Sequence, residues 1–80
     1  MAVIFREALG DELRYIRELR SLSLRELSEI SYVSYSYLSE LERGKKELSS
    51  ETFESLCRAL NVRMSDVLKH VSKKLDIDST

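Results

Sequence analysis

The chain has 80 residues, and its 13 Lys and Arg residues against 14 Asp and Glu residues give a formal net charge of -1. Its 42% apolar content predicts one small globular domain with a compact core, which pairing with a second copy would help to stabilise. The single Cys excludes an intramolecular disulfide and a structural zinc site. No apolar stretch is long enough for a secretory signal or a membrane span, so we expect a cytoplasmic protein without a membrane partner. Zero Pro and two Gly favour a mostly helical fold.

A first helix is predicted from the N-terminal apolar segment to about Arg20. Gly10 weakens the first turns, so no residue before it is assigned as the start of this helix. Apolar residues recur at spacings of three and four, which places them in one stripe on the helix. These residues are Phe5, Leu9, Leu13, Ile16 and Leu19.

Two short helices are predicted next. Ser23 and Glu26 have the spacing of a capping box, so a second helix begins at Leu24. After a break near residues 31–33, Ser34 can cap a third helix that reaches about Arg43, and Gly44 can end it because glycine tolerates a positive φ. The inward positions of the second helix are Leu24, Leu27, Ser28 and Ser31.

Two further helices are predicted after a loop at residues 45–48. Ser49 and Glu51 open the fourth, and Ser65 with Asp66 is expected to cap the fifth, which covers about 65–75 before a frayed tail at 76–80. The apolar stripes are Phe53, Leu56, Cys57 and Leu60 on the fourth helix, and Val67, Leu68, Val71 and Leu75 on the fifth.

The segment from about residue 23 to 43 has the proportions of a helix-turn-helix, with short helices at 24–30 and 35–43. The residue types at particular positions in this segment are more specific than the lengths of its helices and turn. The residues at 22–28, 33–34, 37–44, 49–50 and 59–62 resemble the Cro/cI-type (XRE) helix-turn-helix regulators, over roughly 9–68. The residues at 6–11, 37–40, 42–44, 46–47 and 49–51 resemble the actinobacterial regulators of Clp protease genes within that family. The resemblance implies an all-α, five-helix, lambda-repressor-like DNA-binding domain.

The resemblance also implies that the third helix enters the major groove of double-stranded DNA while the second crosses the phosphate backbone. Helical periodicity turns Leu38 and Leu41 toward the core and puts Tyr37 at its edge. The outward residues offer hydroxyls and one carboxylate to base edges. The first five positions of the helix contain no Arg, Asn or Gln, so the strong bidentate contacts to guanine and adenine are missing. We therefore expect DNA shape and bridging water to contribute to specificity. The candidate base contacts are Tyr35, Ser36, Ser39 and Glu40. The candidate phosphate contacts are Ser23, Arg25, Tyr37, Arg43, Lys45 and Lys46, with packing as the preferred alternative for Tyr37.

Three positions depart from the family pattern. Leu24 stands where the family usually has a backbone-contacting Gln, and Leu48 where it has Pro. Tyr32 stands where it often has Gly, which predicts either a left-handed residue or a locally different turn. The resemblance further implies that Arg17 pairs with Glu42, either as a partly buried pair that orients the third helix or as a solvated pair of little value.

Other polar and reactive residues have ordinary interpretations. Cys57 is expected to be a small core residue rather than a redox sensor, and His70 a surface or dimer-edge residue. Asp11 and Glu12 are expected on a solvated helix face. No catalytic arrangement, metal site, cofactor or small-molecule effector is predicted, so the chain is not expected to be an enzyme.

The fifth helix predicts a homodimer because its apolar surface exceeds what a small four-helix globule can cover, unless that helix simply closes the monomer core. A dimer would set two third helices about 34 Å apart on a pseudo-palindromic operator. The expected interface is Met64, Val67, Leu68, Val71 and Leu75.

The predicted function is sequence-specific transcriptional regulation on double-stranded DNA, and the subgroup implies activation of protease and stress genes. The alternatives are a phage-type repressor, a restriction–modification controller or an antitoxin of the same fold. An alternative of another class is a protein-interaction module without DNA binding. Residues 13–46 hold seven basic against five acidic side chains, a local charge of +2, so the overall charge does not exclude DNA.

Overall fold

The fold is a bundle of five α helices. The computed structural model describes the backbone of residues 4–79 and the side chains of residues 4–75. The helices are α1 (Phe5–Leu19), α2 (Leu24–Ser31), α3 (Tyr35–Glu42), α4 (Ser50–Leu60) and α5 (Met64–Ser79). The described backbone contains no β strand, so the predicted all-α class is confirmed. None of the helices in this part of the chain is long and apolar enough to cross a membrane.

Three helices begin where a serine was predicted to cap them. The Ser23 hydroxyl accepts the amide of Glu26 at 3.0 Å, and the Glu26 carboxylate accepts the amide of Ser23 at 2.9 Å, which is the predicted capping box. Ser34 caps α3 by accepting the amide of Tyr37, and Ser49 caps α4 by accepting that of Thr52. These local bonds satisfy backbone donors that have no partner inside the helix.

The bounds of α5 differ from the prediction. The carbonyl of Arg63 accepts the amides of Asp66 and Val67 at 3.1 and 3.2 Å, so the helix begins at Met64 and the predicted cap at Ser65 and Asp66 is wrong. Both residues lie in the first turn, where the carboxylate of Asp66 favours the positive end of the helix dipole. The helix continues to Ser79, beyond the predicted end near residue 75, and no Pro or Gly interrupts it. Thr80 lies outside the described residues.

All five helices contribute residues to the core. α1 packs most closely on α5 and α3, while α2 packs on α4 and α3. Phe5 and Leu19 were predicted in the apolar stripe of α1, but they are 50% and 61% exposed because the helices that cover the middle of α1 do not cover its ends. Leu24 is half-buried rather than fully inward. The buried apolar residues are Ala8, Leu9, Leu13, Ile16, Leu27, Leu38, Leu41, Phe53, Leu56, Cys57, Leu60, Val67 and Val71.

The fifth helix closes the core of the monomer. Val67 and Val71 are each 1% exposed within a single chain, so neither can supply surface to a second copy and their assignment to a dimer interface is wrong. Burying them against the other helices removes their apolar area from water inside one chain. Leu68 is 42% exposed, and Met64 and Leu75 are half-buried.

An acidic residue joins α1 to α5. Glu12 is 6% exposed, and its two carboxylate oxygens lie 3.4 Å from Nδ1 of His70 and 3.4 Å from Nζ of Lys74. The expectation that Glu12 lies on a solvated face is therefore wrong, because two basic groups of α5 cover its carboxylate. His70 itself lies at the surface.

Candidate nucleic-acid interface

The turn between α2 and α3 is held by two serines that the sequence placed on the inward face of α2. The Ser28 hydroxyl donates to the carbonyl of Val33 at 2.6 Å, and the Ser31 hydroxyl accepts the amide of Val33 at 3.3 Å. Tyr32 adopts the left-handed conformation, with φ 61° and ψ 23°, and its side chain is 95% exposed. The turn therefore has the backbone shape that glycine would adopt without steric cost.

The outward face of α3 carries the four candidate base contacts. Tyr35 and Ser36 in the first turn are exposed, and Ser39 and Glu40 one turn later are half-buried. Leu38 and Leu41, on the opposite face, are each 1% exposed and fix the helix to the core. The predicted set thus lies together on one side of a helix that is anchored on the other.

Exposed basic residues lie at the start of α2 and directly past the end of α3. Arg25, with Ser23, is exposed at the start of α2. Past the end of α3, Gly44 has a φ of 72°, and the amide of Lys45 donates to the carbonyl of Glu40 at 2.9 Å. This is a Schellman-type helix end, and it brings the exposed side chains of Arg43, Lys45 and Lys46 directly after the helix.

Glu40 and Lys46 form a weak ion pair across this helix end. Lys46 Nζ lies 4.0 Å from a carboxylate oxygen of Glu40, and the two side chains are 48% and 41% exposed. Exposed pairs of this kind contribute about 0 to 1 kcal/mol, so a phosphate group can readily compete for the lysine. The pair therefore links a candidate base contact to a candidate phosphate contact.

Tyr37 has a different role from the other candidate phosphate contacts. Its hydroxyl donates to the backbone carbonyl of Glu47, and its ring is half-buried against the core. That bond uses the proton with which the hydroxyl would approach a phosphate oxygen. The structure therefore shows the packing alternative for Tyr37, and its role as a phosphate contact stays a prediction.

The end of α3 is fixed to α1 by an ion pair. Nε and Nη2 of Arg17 donate to the two carboxylate oxygens of Glu42 at 2.7 and 3.0 Å, and Nη1 donates to the carbonyl of Leu22 at 2.7 Å. The side chains of Arg17 and Glu42 are only 12% and 5% exposed. The hydrogen bond and charge of Glu42 raise the pKa of Arg17 above its ordinary value, although burial acts in the opposite direction. Of the two alternatives, the structure shows the partly buried pair.

Sequence reasoning missed the importance of Gly10 for this interface. A Cβ at Gly10 would lie 2.3 Å from the carbonyl oxygen of Leu41, so only glycine lets α1 approach the end of α3 this closely. A Cβ at Gly44 would likewise lie 2.8 Å from Cγ of Glu7. The available signal was a glycine inside an otherwise favourable helix, which often marks close packing.

Comparison with protein-family models identifies the family to which this helical arrangement belongs. The HTH_3 helix-turn-helix model matches residues 13–67. The chain belongs to this helix-turn-helix family. The chain is 44% identical over 75 residues to the transcriptional regulator ClgR of Mycobacterium tuberculosis strain H37Rv, and the alignment covers 94% of this chain and 67% of ClgR.

Solved structures agree with the family assignment. The crystal structure of the clp gene regulator ClgR from Corynebacterium glutamicum is 48% identical, with a TM-score of 0.88 over 94% of this chain and 96% of that one. The restriction-modification controller protein C.AhdI from Aeromonas hydrophila is 27% identical, with a TM-score of 0.75 over 78% of this chain and 94% of that one. The regulator is thus a DNA-binding transcriptional regulator of the ClgR type and not an enzyme.

Proposed function

We propose that the regulator binds a pseudo-palindromic operator in double-stranded DNA as a homodimer and activates protease and stress genes. The observation that carries the DNA contact is the exposed face of α3, which is anchored from behind by Leu38 and Leu41 and flanked by basic residues. The similarity to clp gene regulators supports the class of target genes.

In the proposed complex the start of α3 faces base edges in the major groove. Ser36 and Ser39 can donate or accept hydrogen bonds, and Glu40 can accept from a cytosine amino group once Lys46 turns to a phosphate. Arg25 and Lys45 neutralise phosphates on the two sides of the groove. Because only a few cations face the DNA, nonspecific affinity is weak and the operator contacts supply most of the selectivity.

The salt dependence of binding to a labelled palindromic duplex tests this contact. Lys45→Ala should lower the slope of log K against log salt by about one and weaken all sequences alike. Glu40→Ala should instead change the preferred operator in a selection from random duplexes. Lys73→Ala, which removes an exposed lysine of α5, is the matched control and should leave both properties unchanged. A protein that binds no duplex below about 10 μM at low salt contradicts the proposal and supports a protein-interaction module.

The proposed dimer uses the side of α5 at which the core leaves apolar side chains partly exposed. Met64, Leu68 and Leu75 lie on one side of the helix at spacings of four and seven residues, and Leu68 is the most exposed of the three. An interface between two copies would remove this apolar surface from water.

Sedimentation at micromolar concentration tests the dimer. Leu68→Asp should shift the protein to monomer and weaken operator binding, because two linked half-sites bind far more tightly than one. Leu19→Asp places the same charge on a leucine of α1 that is 61% exposed, and it should leave the dimer intact. A wild-type protein that sediments as a monomer with and without operator DNA contradicts this part of the proposal.

Transcription from a template that carries the selected operator upstream of a promoter tests the direction of regulation. Added regulator should increase the transcript, and Glu40→Ala should lose this effect on the wild-type operator. A decrease in transcript would assign the regulator to the repressors of the same fold.

A further inference from the structure

An apolar groove lies between the start of α1 and the loop that follows α3. It encloses about 390 Å³, which is within the range of small-molecule sites. Leu9 and Leu41 form its base and are 3% and 1% exposed, while Leu48 is half-buried. Ile4 and Phe5 at its mouth are 46% and 50% exposed, so the groove presents apolar surface that the described part of the chain does not cover.

Two basic side chains also line this groove. Arg6 is exposed and makes no ion pair with the described residues, and Lys46 is held only by the weak pair with Glu40 at 4.0 Å. Glu47 is the acidic residue of the lining, so the lining itself has two basic side chains against one acidic side chain, with Glu40 beside Lys46 outside it. An apolar base with a basic mouth is complementary to an anion that has an apolar tail.

We propose that this groove binds a small amphiphilic carboxylate of the medium-chain fatty acid class and that its occupation weakens DNA binding. The tail lies over Leu9 and Leu41, and the carboxylate faces Arg6 and Lys46. The effect on DNA binding rests on the proposed function, because Lys46 is a proposed phosphate contact. The groove also adjoins α3 through Glu47, whose carbonyl accepts the hydroxyl of Tyr37. A bound anion therefore competes with DNA for the same lysine.

Binding is measured without DNA by titrating the full chain with decanoate, below the concentration at which it forms micelles, and recording backbone amide NMR spectra. The amides of Leu9, Leu41 and Leu48 should shift together and saturate. Decyltrimethylammonium, with the same tail and the opposite charge, should bind several-fold more weakly. Equal affinity for the two amphiphiles, or shifts spread over the whole surface, would overturn the proposal.

Two substitutions separate the tail contact from the charge contact. Phe5→Ser should weaken decanoate about fivefold by removing apolar contact area. Arg6→Gln should weaken decanoate about threefold and leave decanol unchanged. Tyr15→Ser is the matched control, since Tyr15 is 57% exposed on the same helix and does not line the groove. Decanoate affinity unchanged in both Phe5→Ser and Arg6→Gln would contradict the site.

Operator binding measured with saturating decanoate tests the regulatory clause. The dissociation constant should rise and the salt slope should fall by about one, as expected when Lys46 is withdrawn from a phosphate. If the protein binds no DNA even without decanoate, the proposed function fails while the NMR titration still decides the groove. Shifts of the groove amides that depend on protein concentration alone would show a second copy in the groove and overturn the proposal.

Discussion

The Arg17 guanidinium binds both carboxylate oxygens of Glu42 and thereby fastens α1 to the end of the helix that faces DNA. The two bonds are 2.7 and 3.0 Å long, and the third nitrogen binds the carbonyl of Leu22. Because three donors of one side chain are used on two different segments, the pair fixes the orientation of α3 relative to α1 and to the start of α2. The fixed planar guanidinium suits this role, since lysine has no equivalent bidentate geometry.

Arg17→Ala should lower the free energy of unfolding by about 3 kcal/mol. The substitution leaves the carboxylate of Glu42 buried without its counterion, and breaking such a pair costs far more than losing an exposed one. Urea denaturation measures the effect. Arg14→Ala is the control: Arg14 pairs with Asp11 at 3.6 Å with both side chains more than half exposed, and its loss should cost less than about 0.5 kcal/mol. Equal stability of the two variants would assign no structural role to the Arg17 pair.

Gly10→Ala should destabilise the protein by about 2 kcal/mol, although the same change in an ordinary helix gains about 1 kcal/mol. The new Cβ would meet the backbone carbonyls of Leu41 and Glu42 at 2.3 and 3.1 Å, and backbone can yield only if α1 and α3 move apart. Thermal melts measure the change in stability, and operator affinity should fall with it. Ser72→Ala, at an exposed position of α5, should be neutral or slightly stabilising. A more stable Gly10→Ala variant would show that the two helices do not need this close approach.

Tyr32→Gly should stabilise the protein by about 0.5 to 1 kcal/mol. Tyr32 has a φ of 61° and is 95% exposed, so the substitution removes the steric cost of a left-handed residue and little packing. The same substitution at Tyr15, an exposed position inside α1, should lower stability because glycine disfavours a helix. Thermal melts that move in the same direction for both variants would contradict the idea that the turn is strained.

Cys57 should make stability fall between about pH 9 and pH 11. Burial raises the pKa of its thiol from 9.0 to about 11. Below pH 9 the thiol keeps its proton in both states, whereas between these values only the folded state keeps it. Stability then falls by about 1.4 kcal/mol per pH unit through this group.

The difference between wild type and Cys57→Ala across this range isolates the thiol from the tyrosines and lysines that titrate nearby. The wild type should lose more stability than the variant, and parallel curves would contradict the effect of burial. In the folded wild type, a thiol-specific reagent at pH 8 should label Cys57 only as fast as the protein opens, since the residue is 2% exposed.

The elements that could be predicted are those whose signals are local. Ser23 with Glu26 fixes the start of α2 within a few residues, and Ser34 and Ser49 do the same for α3 and α4. Ser65 and Asp66 gave a wrong start for α5 because a polar pair is equally favourable in the first turn of a helix, and the first intrahelical bond is accepted by the carbonyl of Arg63. Every residue has a backbone carbonyl, so the sequence does not show which carbonyl accepts the first hydrogen bond of a helix.

The candidate DNA-facing side chains of α3 were predictable for the same reason, since helical periodicity alone turns Leu38 and Leu41 inward and Ser36 and Ser39 outward. The partner of the Tyr37 hydroxyl was not predictable, because the carbonyl that it binds belongs to Glu47, in a loop whose path depends on the fold. Helical periodicity does not predict which other helix, if any, covers each part of an apolar stripe. Phe5 and Leu19 are therefore exposed at the ends of α1, while Val67 and Val71 are buried within one chain.

The sequence by itself determined the number of helices and most of their starting residues, because capping and amphipathic periodicity act over four residues or fewer. It also carried the family resemblance that indicated a helix-turn-helix at the centre. Only the tertiary structure decided how the helices meet. It places Gly10 against the carbonyl of Leu41, Glu12 beneath two basic groups of α5, and Arg6 beside Lys46 at one groove, since each of these relationships joins residues distant in sequence. Contacts of that kind depend on the packing of whole helices, which no local pattern of residues specifies.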